Sequence, residues 1–268
     1  MKRHSKSLLL TAIIGTTAAG LCTSTAAETI VLDQESLARV ASGSTNSRDD
    51  NNGGDDFSRL IGLNTGGLDN LLIYRFDLSS LAGLTATADA TLEIDINGNF
   101  TNGNHGTTDD QIAAHELFLT NAGWVKGTGT IGANDNLTDD GSVSFLNFAQ
   151  YNDDPGPASG TSVPWKDAGG ADVSDLRGAI SAPLDTVPGY NQGTGNVIGS
   201  LSFTIDQSTV QGWIDNGLAG IVVTAIDDGD SKSRFFLQSG TLTVDAVPEP
   251  GSLACLALGG VLIARRRR

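Results

Sequence analysis

Cysteine is absent from the part of this 268-residue chain that a mature secreted protein would keep. Cys22 lies in a leader-like N-terminus and Cys255 in an apolar tail. No disulfide can therefore staple the body of the chain, even in an oxidising compartment, and its stability must come from a core or from bound metal. Basic residues are also scarce, 16 Lys and Arg against 31 Asp and Glu, for a net charge of −15. Nucleic acid needs a basic footprint and is excluded as a partner, and anionic membrane surfaces repel such a body. His105 and His115 are the only histidines outside the leader, and no His-Glu-x-x-His cluster occurs, so the nitrogen ligands of a zinc site are missing. There is no Gly-x-Ser-x-Gly elbow and no phosphate-binding loop. Carboxylates are abundant, but no pair stands out as a glycosidase acid and base.

What is present starts at the two ends. Lys2, Arg3 and Lys6 precede an apolar stretch at 8–14, and Thr25-Ala26-Ala27 offers small residues before Glu28. This predicts a secretory signal peptide over residues 1–27. Leu21, directly before Cys22, is too large for a lipoprotein cleavage box. At the other end Pro248-Glu249-Pro250 precedes an apolar run at 253–264, and Arg265, Arg266, Arg267 and Arg268 close the chain. A 12-residue helix reaches about 18 Å, short of a hydrocarbon core of about 30 Å. That suits a temporary membrane-anchor helix over 252–264 with its arginines held on the cytoplasmic side. The prolines hold the preceding segment extended, where a processing enzyme can grip it.

Triplet, short apolar run and arginine cluster, in that order, resemble the PEP-CTERM sorting signal. The resemblance implies processing by an exosortase, with cleavage near 248–250 and release to the cell surface or extracellular matrix. The mature part then spans about 220 residues. Removing both ends takes away seven of the 16 basic residues and one of the 31 acidic ones, leaving 9 against 30, a net charge of −21. Such acidity keeps a secreted domain soluble and attracts divalent cations.

Residues 28–246 read as short β-runs between Gly/Asn/Asp/Thr-rich loops, at 29–32, 58–63, 70–78, 90–96, 111–119, 197–205, 220–226 and 241–245. Leu92-Glu93-Ile94-Asp95-Ile96 puts its apolar side chains on one face and its acids on the other, as half-buried antiparallel strands do. Asp206 can cap one short helix in which Val210, Trp213 and Ile214 form an apolar stripe. Residues 121–196 are the least regular, an apparent loop insertion. With no βαβ spacing, the predicted fold is all-β, an antiparallel β-sandwich.

Arg75-Phe76-Asp77-Leu78-Ser79, a short loop, and Ala90-Thr91-Leu92 resemble the centre of a DNRLRE-type domain, a jelly-roll module of secreted proteins akin to some carbohydrate-binding modules. Arg59-Leu60-Ile61-Gly62 upstream and Trp124 downstream also fit that pattern, whereas 127–196 departs from it. The resemblance implies a jelly roll and a carbohydrate-binding role. The residues themselves ask only for structure: Phe76 and Leu78 face one way, and Arg75 and Asp77 the other.

Two sets of candidate site residues follow. Asp49, Asp50, Asn52, Asp55 and Asp56, and separately Asp227, Asp228 and Asp230, lie in Gly-containing loops that could supply oxygen ligands to structural Ca²⁺, or could be simple solvated loops. Trp124, Trp165, Tyr151 and Tyr190 sit in loop-like contexts where a ring can pack on a sugar face, or can anchor a loop by burial. The expected function is that of an exported, non-catalytic surface or matrix protein that binds polysaccharide. A purely structural matrix role is the runner-up, and an enzyme acting on polysaccharide stands third.

Overall fold

The computed structural model describes residues 26–41, 60–63, 69–98, 110–126, 147–149, 163–190, 197–226 and 235–249. The expected signal peptide up to residue 25 and the expected membrane-anchor helix at 252–264 lie outside them. Among the described residues no helix is long and apolar enough to cross a membrane.

Strands β1 (Glu28–Asp33), β2 (Ser36–Ala41), β3 (Leu60–Leu63), β4 (Asp69–Asp77), β5 (Leu84–Ala86) and β6 (Ala90–Gly98) come first. There follow β7 (Gln111–Leu117), β8 (Asn147–Ala149), β9 (Val163–Lys166), β10 (Asp172–Val173), β11 (Ile180–Pro188) and β12 (Val197–Ile205). Helix α1 (Gln207–Asn216), β13 (Leu218–Ile226) and β14 (Phe235–Pro248) complete the order.

All these strands pair antiparallel, in two main layers. One runs β1-β14-β6-β12 and the other β4-β13-β7-β11, with β2 added beside β4. The chain leaves β1 for β4, returns to β6, crosses to β7 and β11, and then alternates through β12, β13 and β14. Two interlocked Greek keys of this kind make a jelly roll. Short β3 bridges the layers, pairing with β4 at one end and β14 at the other. At the opposite margin the Asp185 carboxylate of β11 accepts the backbone N–H of Thr204 on β12 at 2.7 Å, tying the layers together.

The main core lies between the layers. Leu92, Ile94, Leu201, Phe203, Leu242 and Val244 come from one, and Leu72, Tyr74, Phe76, Ile221 and Val223 from the other. Burying each large side chain contributes about 1.5–3 kcal/mol. Two polar atoms drawn inside are matched: Tyr74 Oη donates to the carbonyl of Gln238 at 2.9 Å, and Trp213 Nε1 to Glu116 Oε1 at 2.9 Å. Helix α1 forms as expected. The Asp206 carboxylate accepts the Ser208 N–H at 2.8 Å, and Val210, Trp213 and Ile214 are buried. Gly217, at φ 72°, ends the helix by donating to the carbonyls of Trp213 and Ile214. The Asp77 carboxylate likewise accepts the Ser79 N–H at 2.8 Å, and bonding to Ser79, helped by nearby Arg75, holds its pKa below the ordinary carboxylate value.

Two boundaries differ from the sequence reading. The irregular region expected over 121–196 contains sandwich strand β11, so the insertion proper ends near Ala179. Pro183 and Pro188 disguise that strand, and an edge strand with register shifts tolerates them. Strand β14 also runs to Pro248, two residues past the expected end of the sandwich.

Gly220 of β13 leaves no room for a side chain, since a Cβ there would stand 3.0 Å from Leu117 Cβ. Gly220→Val should destabilise the domain by about 1–3 kcal/mol through overpacking, read as a lower denaturant midpoint with unchanged slope.

Candidate functional site

Strand β4 buries Leu71, Leu72, Ile73 and Tyr74 in succession, and β13 buries Ile221, Val222 and Val223. Consecutive side chains point to opposite faces, so this layer is apolar on both sides. Ala38, Val40, Leu71, Ile73, Leu117 and Val222 point away from the main core and build a second one. The insertion covers it with Trp124, Trp165, Leu176 and Ala179. The expectation that Trp124 and Trp165 form an exposed sugar platform is thereby corrected. Both are fully buried, because an apolar outer sheet face must be shielded from water and large rings shield it best.

Polar contacts hold the cover in place. Asn121, 1% exposed, pairs like a strand with Lys166, accepting its N–H at 3.0 Å and donating to its carbonyl at 2.8 Å. Arg75 forks onto Glu35 at 2.9 and 3.1 Å, donates to the carbonyl of Trp124, and lies 5.5 Å from the centroid of the Trp124 ring. Asn121 and Glu35 carry no motif in the sequence. Their roles depend on contacts 45 and 40 residues away.

The remaining candidates do not converge. Tyr190 packs on the main core, half-buried, its ring 5.1 Å from that of Phe235. Tyr151 lies outside the described residues, as do Asp49, Asp50, Asn52, Asp55, Asp56, Asp227, Asp228 and Asp230. Among the described residues no three His, Cys, Asp or Glu side chains gather as a metal site.

His115 is the one histidine among the described residues. Its Nδ1 lies 3.0 Å from the carbonyl of Ser181, which can only accept, so Nδ1 carries the proton. Nε2, 3.1 Å from Thr224 Oγ1, then accepts from the hydroxyl. Burial pushes the imidazole pKa below 6.5, with the Ser181 carbonyl partly opposing. This neutral, satisfied imidazole is an internal strut.

The outer face of the β1-β14-β6-β12 layer is open. Across the strands run two rows, Asp33-Thr241-Glu93-Ser202 and Val31-Thr243-Thr91-Thr204, flanked by Thr29-Asp245 and by Asp95-Ser200. Glu93, Asp95, Ser200, Ser202 and Thr204 are exposed. Some of these groups bond to each other: Thr29 Oγ1 to Asp245 Oδ1 at 2.5 Å and Ser239 Oγ to Asp95 Oδ2 at 2.8 Å. Among the described residues every Lys and Arg (Arg39, Arg75, Lys126, Lys166, Arg177) belongs to the covered layer or its cover. Apart from exposed Val31, the side chains of these rows are thus hydroxylated or anionic.

The last strand leads out of this layer into the tail. Residues 246–268 match the model of the PEP-CTERM protein-sorting motif. The motif marks an exported protein processed by an exosortase. No curated protein matches the chain. The family match covers the tail and only the last three residues of β14, so the likeness of Leu71 to Ile96 to a DNRLRE-type domain stays a resemblance.

Trp124→Ala and Trp165→Ala should each cost about 3–5 kcal/mol of stability, measured by denaturant melts, as cavity-forming changes in a core do. His115 should make stability fall with acid. Its folded pKa is depressed, so stability is fully present above 6.5 and is lost as pH drops from there through the folded value. His115→Gln should abolish that slope in melts taken across the same range.

Proposed function

We propose that the protein is a non-catalytic component of the cell surface or extracellular matrix that binds polysaccharide on the open face of the β1-β14-β6-β12 layer. The observation that carries this reading is the pair of cross-strand rows of Thr, Ser and carboxylate side chains, interrupted by Val31 and with no basic residue among them. Short hydroxyls and carboxylates on neighbouring strands offer repeated acceptors and donors to the hydroxyls of an extended sugar chain. Hydrogen bonds to charged groups are the stronger ones. A stacking platform is not used, since the tryptophans are buried. An enzymatic reading finds less support. A glycosidase sets two carboxyl groups on either side of the scissile bond, whereas Glu93 and Asp95 lie side by side on one strand. Calcium enters as a bridge between this anionic face and an anionic polymer.

The burial of Trp124, Trp165 and Trp213 favours a second reading, a matrix scaffold without a specific ligand. The two separate cleanly. Residues 28–249 should be retained on a panel of neutral and anionic polysaccharides, the anionic ones only with calcium. The double variant Glu93→Ala/Asp95→Ala should bind about tenfold more weakly or worse, a loss of about 1.4 kcal/mol, at an unchanged melting temperature. Undiminished binding by the variant would move the site elsewhere. No retention on any polymer would leave the scaffold.

A further inference from the structure

Two carboxylates on the open face of the β1-β14-β6-β12 layer stand without a partner. Asp245 accepts from Thr29, and Asp95 from Ser239. Among the described residues, the side chains of Asp33 and Glu93 hold no hydrogen bond and no ion pair. Both are exposed in one row, Asp33-Thr241-Glu93-Ser202, which crosses the four strands in register. The described Lys and Arg residues all belong to the other layer or its cover, so none of them neutralises this pair.

The order of the row carries the chemistry. Neighbouring strands lie about 4.8 Å apart, and an extended chain of linked hexose rings advances by roughly that distance per ring. A chain laid along the row therefore meets one strand per ring. Carboxylates stand on β1 and β6, two strands apart, and hydroxyls on β14 and β12. Every second ring then faces an acid. Glu93 lies between Thr241 and Ser202, which makes three acceptor side chains side by side. A protonated amine brings three donors to them. The rings between face a hydroxyl, which suits an acetamido or hydroxyl substituent.

We infer that the polysaccharide bound here is a partly deacetylated hexosamine polymer, lying across the strands with protonated amino groups on Asp33 and Glu93. This rests on the reading of the face as a polysaccharide site and names the class of polymer. A polymer with its own positive charge meets the anionic face without a bridging ion, whereas an anionic polymer needs calcium. Its charge-assisted hydrogen bonds are the stronger kind. A basic protein finds less to hold. Protein interfaces are anchored by buried aromatic and apolar side chains, and in the two rows Val31 alone is a large exposed hydrophobic.

The test is binding of the full chain, purified in non-ionic detergent, to four probes: β-linked glucosamine oligomers, their N-acetylated counterparts, a lysine peptide of equal charge, and a polyuronate with calcium. The glucosamine oligomers should bind about tenfold more tightly than the acetylated ones, or better. That advantage should survive a calcium chelator, shrink as salt rises, and level off once the oligomer spans the four strands. Glu93→Gln and Asp33→Asn should each erase most of it at an unchanged melting temperature. Asp215→Asn, which removes the same charge from helix α1, should leave it intact. Equal loss with Asp215→Asn, or equal binding of the lysine peptide, would reduce the effect to net charge and overturn the inference. Binding of the acetylated oligomers or the polyuronate with no preference for glucosamine would overturn it too, while the polysaccharide site stood. Binding of none of the sugars would remove both.

Discussion

The structure depends on one layer that is apolar on both faces. Leu72, Tyr74, Ile221 and Val223 fill the main core, while Leu71, Ile73 and Val222 of the same strands face the other way. A two-layer sandwich satisfies only the first set. The second needs a cover, and the insertion between β7 and β11 supplies it. That requirement places Trp124 and Trp165 inside, recruits Asn121 to pair with the Lys166 backbone, and sets Arg75 between Glu35 and Trp124. It also decides which surface can meet a partner, because the covered layer offers only its cap while the other layer presents side chains directly to solvent.

Most of the sandwich was legible from period-two alternation, including β6, β12 and the end of β14, each with one wet face. The capped helix was legible from Asp206 and the spacing of Val210, Trp213 and Ile214. The Gly- and Pro-containing surroundings of Trp124 and Trp165 left both a sugar-facing ring and a buried anchor open, and the sugar-facing choice was the wrong one. The signal that corrects it lay in other segments: Leu71-Leu72-Ile73-Tyr74 and Ile221-Val222-Val223 are continuous apolar runs, the pattern of strands buried on both faces. A doubly buried layer calls for apolar side chains from elsewhere, and the large ones were few. Strands such as β5, β9 and β10, of two to four residues, are too short to show a period. They form because a neighbouring strand has open hydrogen-bonding groups.

Charge follows the same division. The described basic residues sit with the covered layer, where Arg75 is bonded into the cover and Lys166 pairs with Asp172. The open layer has Asp33, Glu93, Asp95 and Asp245 among threonines and serines, which is affordable only because these carboxylates stay in water or bond to a neighbouring hydroxyl. An anionic face keeps such a sheet from pairing with its own copies. The cost of an internal polar group is met differently at His115, which is held neutral between a carbonyl and a hydroxyl.

The open layer also receives both ends of the exported domain. Glu28, the first residue after the expected leader, lies opposite Ala246, the first residue of the sorting motif. The terminal strands β1 and β14 are therefore neighbours, and removal of either end acts on one edge of one sheet. A strand that anchors the core through Leu242 and Val244 cannot lend its backbone to an enzyme without loosening that core. Its last residues, whose partner among the described residues is β5, are where the fold can release chain at least cost. In the antiparallel ladder with β5, Pro248 falls opposite Leu84 at a non-bonded position, which lets a proline-containing motif end a strand without breaking it. The same few residues can thus complete a β-sheet and lead into a processing signal.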